Sequence, residues 1–155
     1  MSTSRREFLR LTGAAAAGLG VLSIATVRPA RATPAAMQEA MRKVVGDATV
    51  APGRVRLELP PLVENGNAVP LAVRVESPMT AADHVRAIHV FTEKNPQPNV
   101  VSVRIGPRAG QASVSTRIRL ADTQTVIAIA ELSDGSFCSD RADVVVTLAA
   151  CLEDP

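Results

Sequence analysis

Two cysteines, two histidines and a scatter of carboxylates are the residues of this chain with reactive potential. His84 and His89 have no Cys or carboxylate partner at metal-ligand spacing, so they read as surface or strand-edge residues. No phosphate-binding glycine loop, nucleophile elbow or paired-acid motif accompanies the carboxylates. A stand-alone enzyme therefore has no supporting constellation, and no cofactor or metal is expected.

The cysteines are Cys138 and Cys151. Asp140 to Ala149 reads as one extended strand, so 13 residue steps at about 3.3 Å each would set the two Cα atoms roughly 40 Å apart. A disulfide needs about 4.4–6.8 Å. The pair is thus expected to stay unbridged. Cys138, behind Phe137 at the start of a strand, reads as a packing residue. Cys151 stands four residues before Pro155 and is expected to be exposed and mobile. Glu153, Asp154 and the terminal carboxylate disfavour its thiolate, and no cation adjoins it in sequence. Such a thiol is a poor nucleophile by itself and suits a handle that other enzymes load and unload.

The elements that must position these sulfurs follow from periodicity. Thr33 caps and Pro34 opens a short helix, Gly46 closes it, and Met37, Met41, Val44 and Val45 form one apolar stripe. From Gly53 the period changes to two. Val55, Leu57 and Leu59 alternate with charged residues, as do Val69, Leu71, Val73 and Val75, and Glu64-Asn65-Gly66-Asn67 between them predicts a hairpin turn. Further strands are predicted at 85–91, 100–105, 112–120, 126–132 and 144–148, separated by Gly, Pro, Asn and Asp turn signals. The pattern predicts an all-β, immunoglobulin-like antiparallel β-sandwich with a short N-terminal helix. Val126 to Ala130 is apolar at nearly every position, so a second sheet or a partner chain is expected to cover both its faces.

Composition narrows the function classes. With no Trp or Tyr and only Phe8, Phe91 and Phe137, the chain has no stacking platform for bases. Ser4-Arg5-Arg6-Glu7-Phe8-Leu9-Arg10, the Ala- and Gly-rich apolar run from Leu11 to Val27, and Ala30-Arg31-Ala32 read as a cleaved twin-arginine signal peptide over residues 1–32. The expected location is therefore the periplasm. Removing the leader's five arginines and one glutamate leaves 12 basic and 14 acidic residues, a near-neutral balance with no footprint for nucleic acid or anionic membrane. The expected organisation is a helical segment at 33–50, a sandwich domain at 51–149 and a tail at 150–155 bearing Cys151.

Several blocks carry a family likeness: Glu64-Asn65-Gly66-Asn67-Ala68-Val69-Pro70, Ser77-Pro78-Met79-Thr80, Val90 through Pro98, Thr116-Arg117-Ile118-Arg119-Leu120-Ala121, Ser133-Asp134-Gly135-Ser136-Phe137, and Val146-Thr147 followed by Cys151. In these residues, and in its leader, the chain resembles SoxY, the sulfur-carrier subunit of the periplasmic thiosulfate-oxidising (Sox) system. The resemblance implies a sandwich paired with a SoxZ-like subunit as a heterodimer, and covalent cargo on Cys151. It also implies transient contact with a cytochrome that couples thiosulfate to that sulfur, a sulfate-releasing hydrolase and a sulfane dehydrogenase. The carrier itself catalyses nothing. The family's usual glycine-rich tail is replaced here by Ala149-Ala150-Cys151-Leu152-Glu153-Asp154-Pro155. Ala149, Ala150 and Leu152 set the tail's flexibility and restrict it more than glycine would. The alternative is a divergent, non-carrier paralogue acting as a structural or regulatory interaction module.

Overall fold

The computed structural model describes residues 33–150; the leader, Cys151 and Leu152 lie outside the described residues. Helix α1 (Pro34–Val45) begins where the sequence predicts, with Thr33 Oγ1 accepting from the Ala36 N–H at 3.2 Å and Gly46 closing the helix at φ 61°. Nine strands follow: β1 (Val50–Pro52), β2 (Val55–Glu58), β3 (Leu62–Val63), β4 (Val69–Val75), β5 (Val85–Thr92), β6 (Asn99–Arg104), β7 (Ala112–Ile118), β8 (Gln124–Leu132) and β9 (Phe137–Val146). They form an immunoglobulin-like sandwich. The large sheet runs β1-β9-β8-β5-β6, with β3 also on β9, and the small one runs β2-β4-β7.

Between the sheets the core is aliphatic. Val69, Leu71 and Val73 of the small sheet meet Ile88, Val90, Val126, Ala128 and Val144 of the large one, with Leu120 from the link between β7 and β8, all at most 2% exposed. Such burial contributes about 1.5–3 kcal/mol per large side chain. The opposite face of the large sheet carries Phe91, Ile129 and Phe137, and these pack with Met37 of α1. Met41, Val44 and Val45 flank that contact, so the helical stripe and the doubly apolar β8 are two halves of one interface. The second cover of β8 is the chain's own helix.

Two features differ from the sequence reading. β2 and β4 do pair antiparallel, Val55 opposite Val75, but they are not joined by a tight hairpin turn. The intervening chain crosses to the large sheet as β3 and then makes a 3-10 turn, Gly66–Ala68, capped by Asn65 Oδ1 on the Asn67 N–H at 2.9 Å. Tertiary pairing overrides the Asn-Gly signal there. The last strand also starts earlier than 144 and ends at Val146, before a bend at Thr147 and Leu148.

β9 has a mosaic edge. β1 lies parallel to its start, Ala51 opposite Cys138, and β3 lies parallel to its end, Leu62 opposite Val145 and Val63 opposite Val146. These short parallel pairings depart from a wholly antiparallel sandwich. Midway, where β2 has left for the small sheet, Asp140 Oδ2 accepts the Leu57 N–H at 2.8 Å and bridges the two sheets.

Candidate functional site: the root of the cysteine tail

Cys138 is buried at 7% exposure, faces the inter-sheet core opposite Ala130, and is a free thiol. Its packing role holds. Cys151 follows directly on the last described residue, Ala150, so the site available to structural reading is the stretch that delivers the chain to that cysteine.

Beyond β9 this stretch is tied down by backbone. The Thr147 N–H donates to Val63 O at 3.0 Å, and Thr147 Oγ1 donates to Glu64 O at 3.2 Å. On the other flank the Val146 N–H donates to Thr123 Oγ1 at 3.0 Å. Leu148 then turns its side chain out, 62% exposed, while its carbonyl accepts the Gly66 N–H at 2.8 Å. Ala149 is exposed, but Ala150 is 6% exposed and donates its N–H to Leu120 O at 3.1 Å. The two alanines expected to set the tail's flexibility are thus unlike, one in solvent and one packed on the body.

Leu120 is itself fixed from two directions. Its N–H donates to Gly66 O at 2.8 Å. Behind it, buried Asn95 donates through Nδ2 to Arg119 O at 2.7 Å and accepts the Ala121 N–H at 3.0 Å through Oδ1, bracketing Leu120 in sequence. Gln124 completes the network, donating through Nε2 to Asn95 Oδ1 at 3.0 Å and accepting the Lys94 N–H at 2.8 Å. Both buried amides are satisfied, as burial of a polar group requires. At the surface, Lys94 Nζ lies 2.9 Å from Asp122 Oδ2. The Lys94 hydrogen bond and then the Thr123 N–H hold that carboxyl below its ordinary range, keeping it ionised beside the root.

Three blocks that are far apart in sequence, Glu64–Pro70, Val90–Pro98 and Thr116–Ala121, therefore meet at the root of the tail. In the sequence these blocks stand out only by family likeness. Gly66, Asn95 and Leu120 had no chemical signature of their own, because their contribution is backbone contact and amide hydrogen bonding.

Among the described residues no group of three His, Cys, Asp or Glu side chains could hold a metal ion. His84 Nδ1 lies 3.1 Å from Thr80 O, and half-buried His89 Nδ1 lies 2.9 Å from Ser102 Oγ, so the structure keeps them apart and locally engaged. An open groove of about 940 Å³ lies over β2, β4 and β7, lined by Glu58, Pro70, Ser115 and Arg117 among others, without Cys or His. No helix among the described residues is long and apolar enough to cross a membrane.

The chain is similar to the sulfur carrier protein SoxY from Chlorobium limicola f thiosulfatophilum, with 26% identity and a TM-score of 0.61 over 72% of this chain and 96% of that one. It shares its fold with superoxide reductases. The neelaredoxin of Ignicoccus hospitalis gives a TM-score of 0.54 at 20% identity, covering 74% of this chain and 94% of that one. A superoxide reductase homologue from Thermotoga maritima gives 0.52 at 21%, covering 63% and 87%. No curated protein matches the chain in sequence. The profile described as "Sulfur oxidation protein SoxY" matches residues 41–151, which run from the helix to the second cysteine, and the chain belongs to the SoxY family.

Proposed function

We propose that the chain is a periplasmic carrier, exported by the twin-arginine route, that holds thiosulfate-derived intermediates covalently on Cys151 within a SoxYZ-like complex. The observation that carries this reading is the tail root. Backbone bonds on Thr147, Leu148 and Ala150 hold the stretch that leads to Cys151, while Cys138 is a free thiol sealed in the core.

Loading joins the Cys151 sulfur to the outer sulfur of thiosulfate. The thiol loses its proton and two electrons pass to a partner cytochrome, leaving a cysteine S-thiosulfonate. Addition of water by a partner hydrolase then cleaves the sulfur–sulfur bond to the sulfonate, releasing sulfate and a proton and leaving a persulfide for a sulfane dehydrogenase. The carrier supplies a leaving sulfur and a fixed point of presentation. A SoxZ-like subunit is the stable partner of this proposal.

Intact mass of the protein purified from thiosulfate-grown periplasm tests it. Wild type is expected to carry a thiosulfate-sized adduct that reductant removes, and Cys151→Ser to carry none. An adduct that persists in Cys151→Ser overturns the reading. The Ala-Ala-Cys-Leu-Glu-Asp-Pro tail favours a second reading, because two acids beside the sulfur repel an anionic cargo and Ala, Leu and Pro restrict the arm. A non-carrier interaction module predicts a stable complex with the SoxZ-like subunit and no adduct on wild type.

A further inference from the structure

Gly66 is buried at the centre of the tail root, and its N–H, its carbonyl and its missing side chain all face the same seam. Ala150 donates to Leu120, Leu120 donates to Gly66, and Gly66 donates to Leu148. The tail thus leaves and rejoins one closed circuit of backbone bonds. A Cβ at position 66 would collide with the Leu120 carbonyl oxygen and lie 2.8 Å from the Ala150 nitrogen and 3.2 Å from Val146 Cγ1. The first two are backbone atoms, which cannot rotate away. Moreover, they are the acceptor and donor of the Ala150–Leu120 bond, so any side chain at 66 wedges that bond apart. Gly66 has no positive φ, so the requirement at this position is for space and not for a special backbone conformation.

We propose that Gly66 is a positioning residue for the carrier arm: by letting the 3-10 turn, Leu120 and Ala150 touch, it fixes the point and direction from which Cys151 is offered to partner enzymes. This rests on the carrier reading above. A rigid root lets a partner meet the tail at one place, which lowers the ordering cost of each docking event. If the root is released, only a fraction of the molecules present the arm competently, and apparent affinity falls by that fraction.

The test uses the full-length mature chain in its complex with the SoxZ-like subunit, thiosulfate as cargo, and the thiosulfate-coupling cytochrome. In Gly66→Ala, amide exchange at Ala150 is expected to speed up at least tenfold. The KM for the carrier in loading is expected to rise about tenfold with kcat little changed. Alkylation of Cys151 by N-ethylmaleimide, which needs no docking, keeps pace with wild type or exceeds it. Ala150→Pro deletes the same N–H from outside the 3-10 turn and is expected to raise KM likewise, which keeps the proposal testable should Gly66→Ala fail to fold. The proposal is overturned if Ala150 stays protected in Gly66→Ala, if Gly66→Ala frees Ala150 yet loads with the wild-type KM, or if Ala150→Pro loads with the wild-type KM. Failure of wild type to load at all sinks the carrier reading, and the arm-positioning role with it. Fast Ala150 exchange with normal loading sinks the positioning role alone.

Discussion

The two ends of β9 are held by different forces. At its start Phe137 packs beneath α1 with Phe91, Ile129 and Met37, and Cys138 turns the other way into the aliphatic core. At its end, Val146 to Ala150 are held by backbone groups of Val63, Gly66 and Leu120 and by the Thr123 hydroxyl, with Leu148 pointing into solvent. Apolar burial is strong and non-directional, and it hides whatever it holds. A hydrogen-bonded seam is worth less per contact but fixes where a chain runs to within a bond length. One strand thereby holds a sulfur that is put away and ends in a stretch whose path is set by directional bonds.

That contrast breaks most sharply at Phe91, which is fully buried under the helix. Phe91→Ala is expected to cost about 3–5 kcal/mol in urea unfolding, through lost transfer energy and the cavity left between sheet and helix. Its effect belongs to global stability. Exchange at Ala150 measured well below the unfolding transition should keep its rank among the amides, whereas Gly66→Ala changes that rank. If Phe91→Ala loosens Ala150 selectively, the two ends of β9 are not independent. A smaller effect separates the two cysteines. Cys138→Ser places a hydroxyl in the aliphatic core without a designed partner, at about 1–3 kcal/mol. Adduct formation on the surviving Cys151 should persist, and its loss by intact mass would mean that Cys138 takes part in the chemistry.

Much of the start of β9 was legible in the sequence because side-chain patterning is local. Thr33, Pro34 and Gly46 bound the helix correctly, alternation marks β2 and β4, apolar runs between turn signals mark the central strands, and Cys138 reads as a packing residue. What periodicity did not reveal was that Met37 and its stripe cover Ile129, since each half of an interface shows an apolar face without naming its mate. The root of the tail was far less legible. Asn65-Gly66 matches the commonest hairpin-turn signal, yet here Asn65 caps a 3-10 turn and Gly66 provides room for a carbonyl 54 residues downstream and an amide 84 residues downstream. Backbone seams of this kind leave no composition signature. Only the shared family blocks marked the place, without a physical reason attached.

The mildest test of the comparison lies at the rim of the helix-covered face. His89 pairs across the sheet with Ile129, its ring centroid is 6.3 Å from that of Phe91, and its Nδ1 meets Ser102 Oγ. Burial lowers its pKa from the ordinary 6.5, opposed by the charge of Glu131 and assisted by that of Arg104. Because the folded-state value is the lower one, the unfolded chain binds more protons between the two pKa values, and stability rises with pH across that interval. The contribution is therefore complete above 6.5 and is lost as pH falls through the folded value. Carboxylates titrate in the same experiment, so the readout is the difference between wild type and His89→Gln in urea midpoints from pH 7.5 downward. Wild type should lose stability on acidification faster than the variant, and parallel curves would show that the apolar cover ends short of His89, leaving its ring as freely charged as one in water.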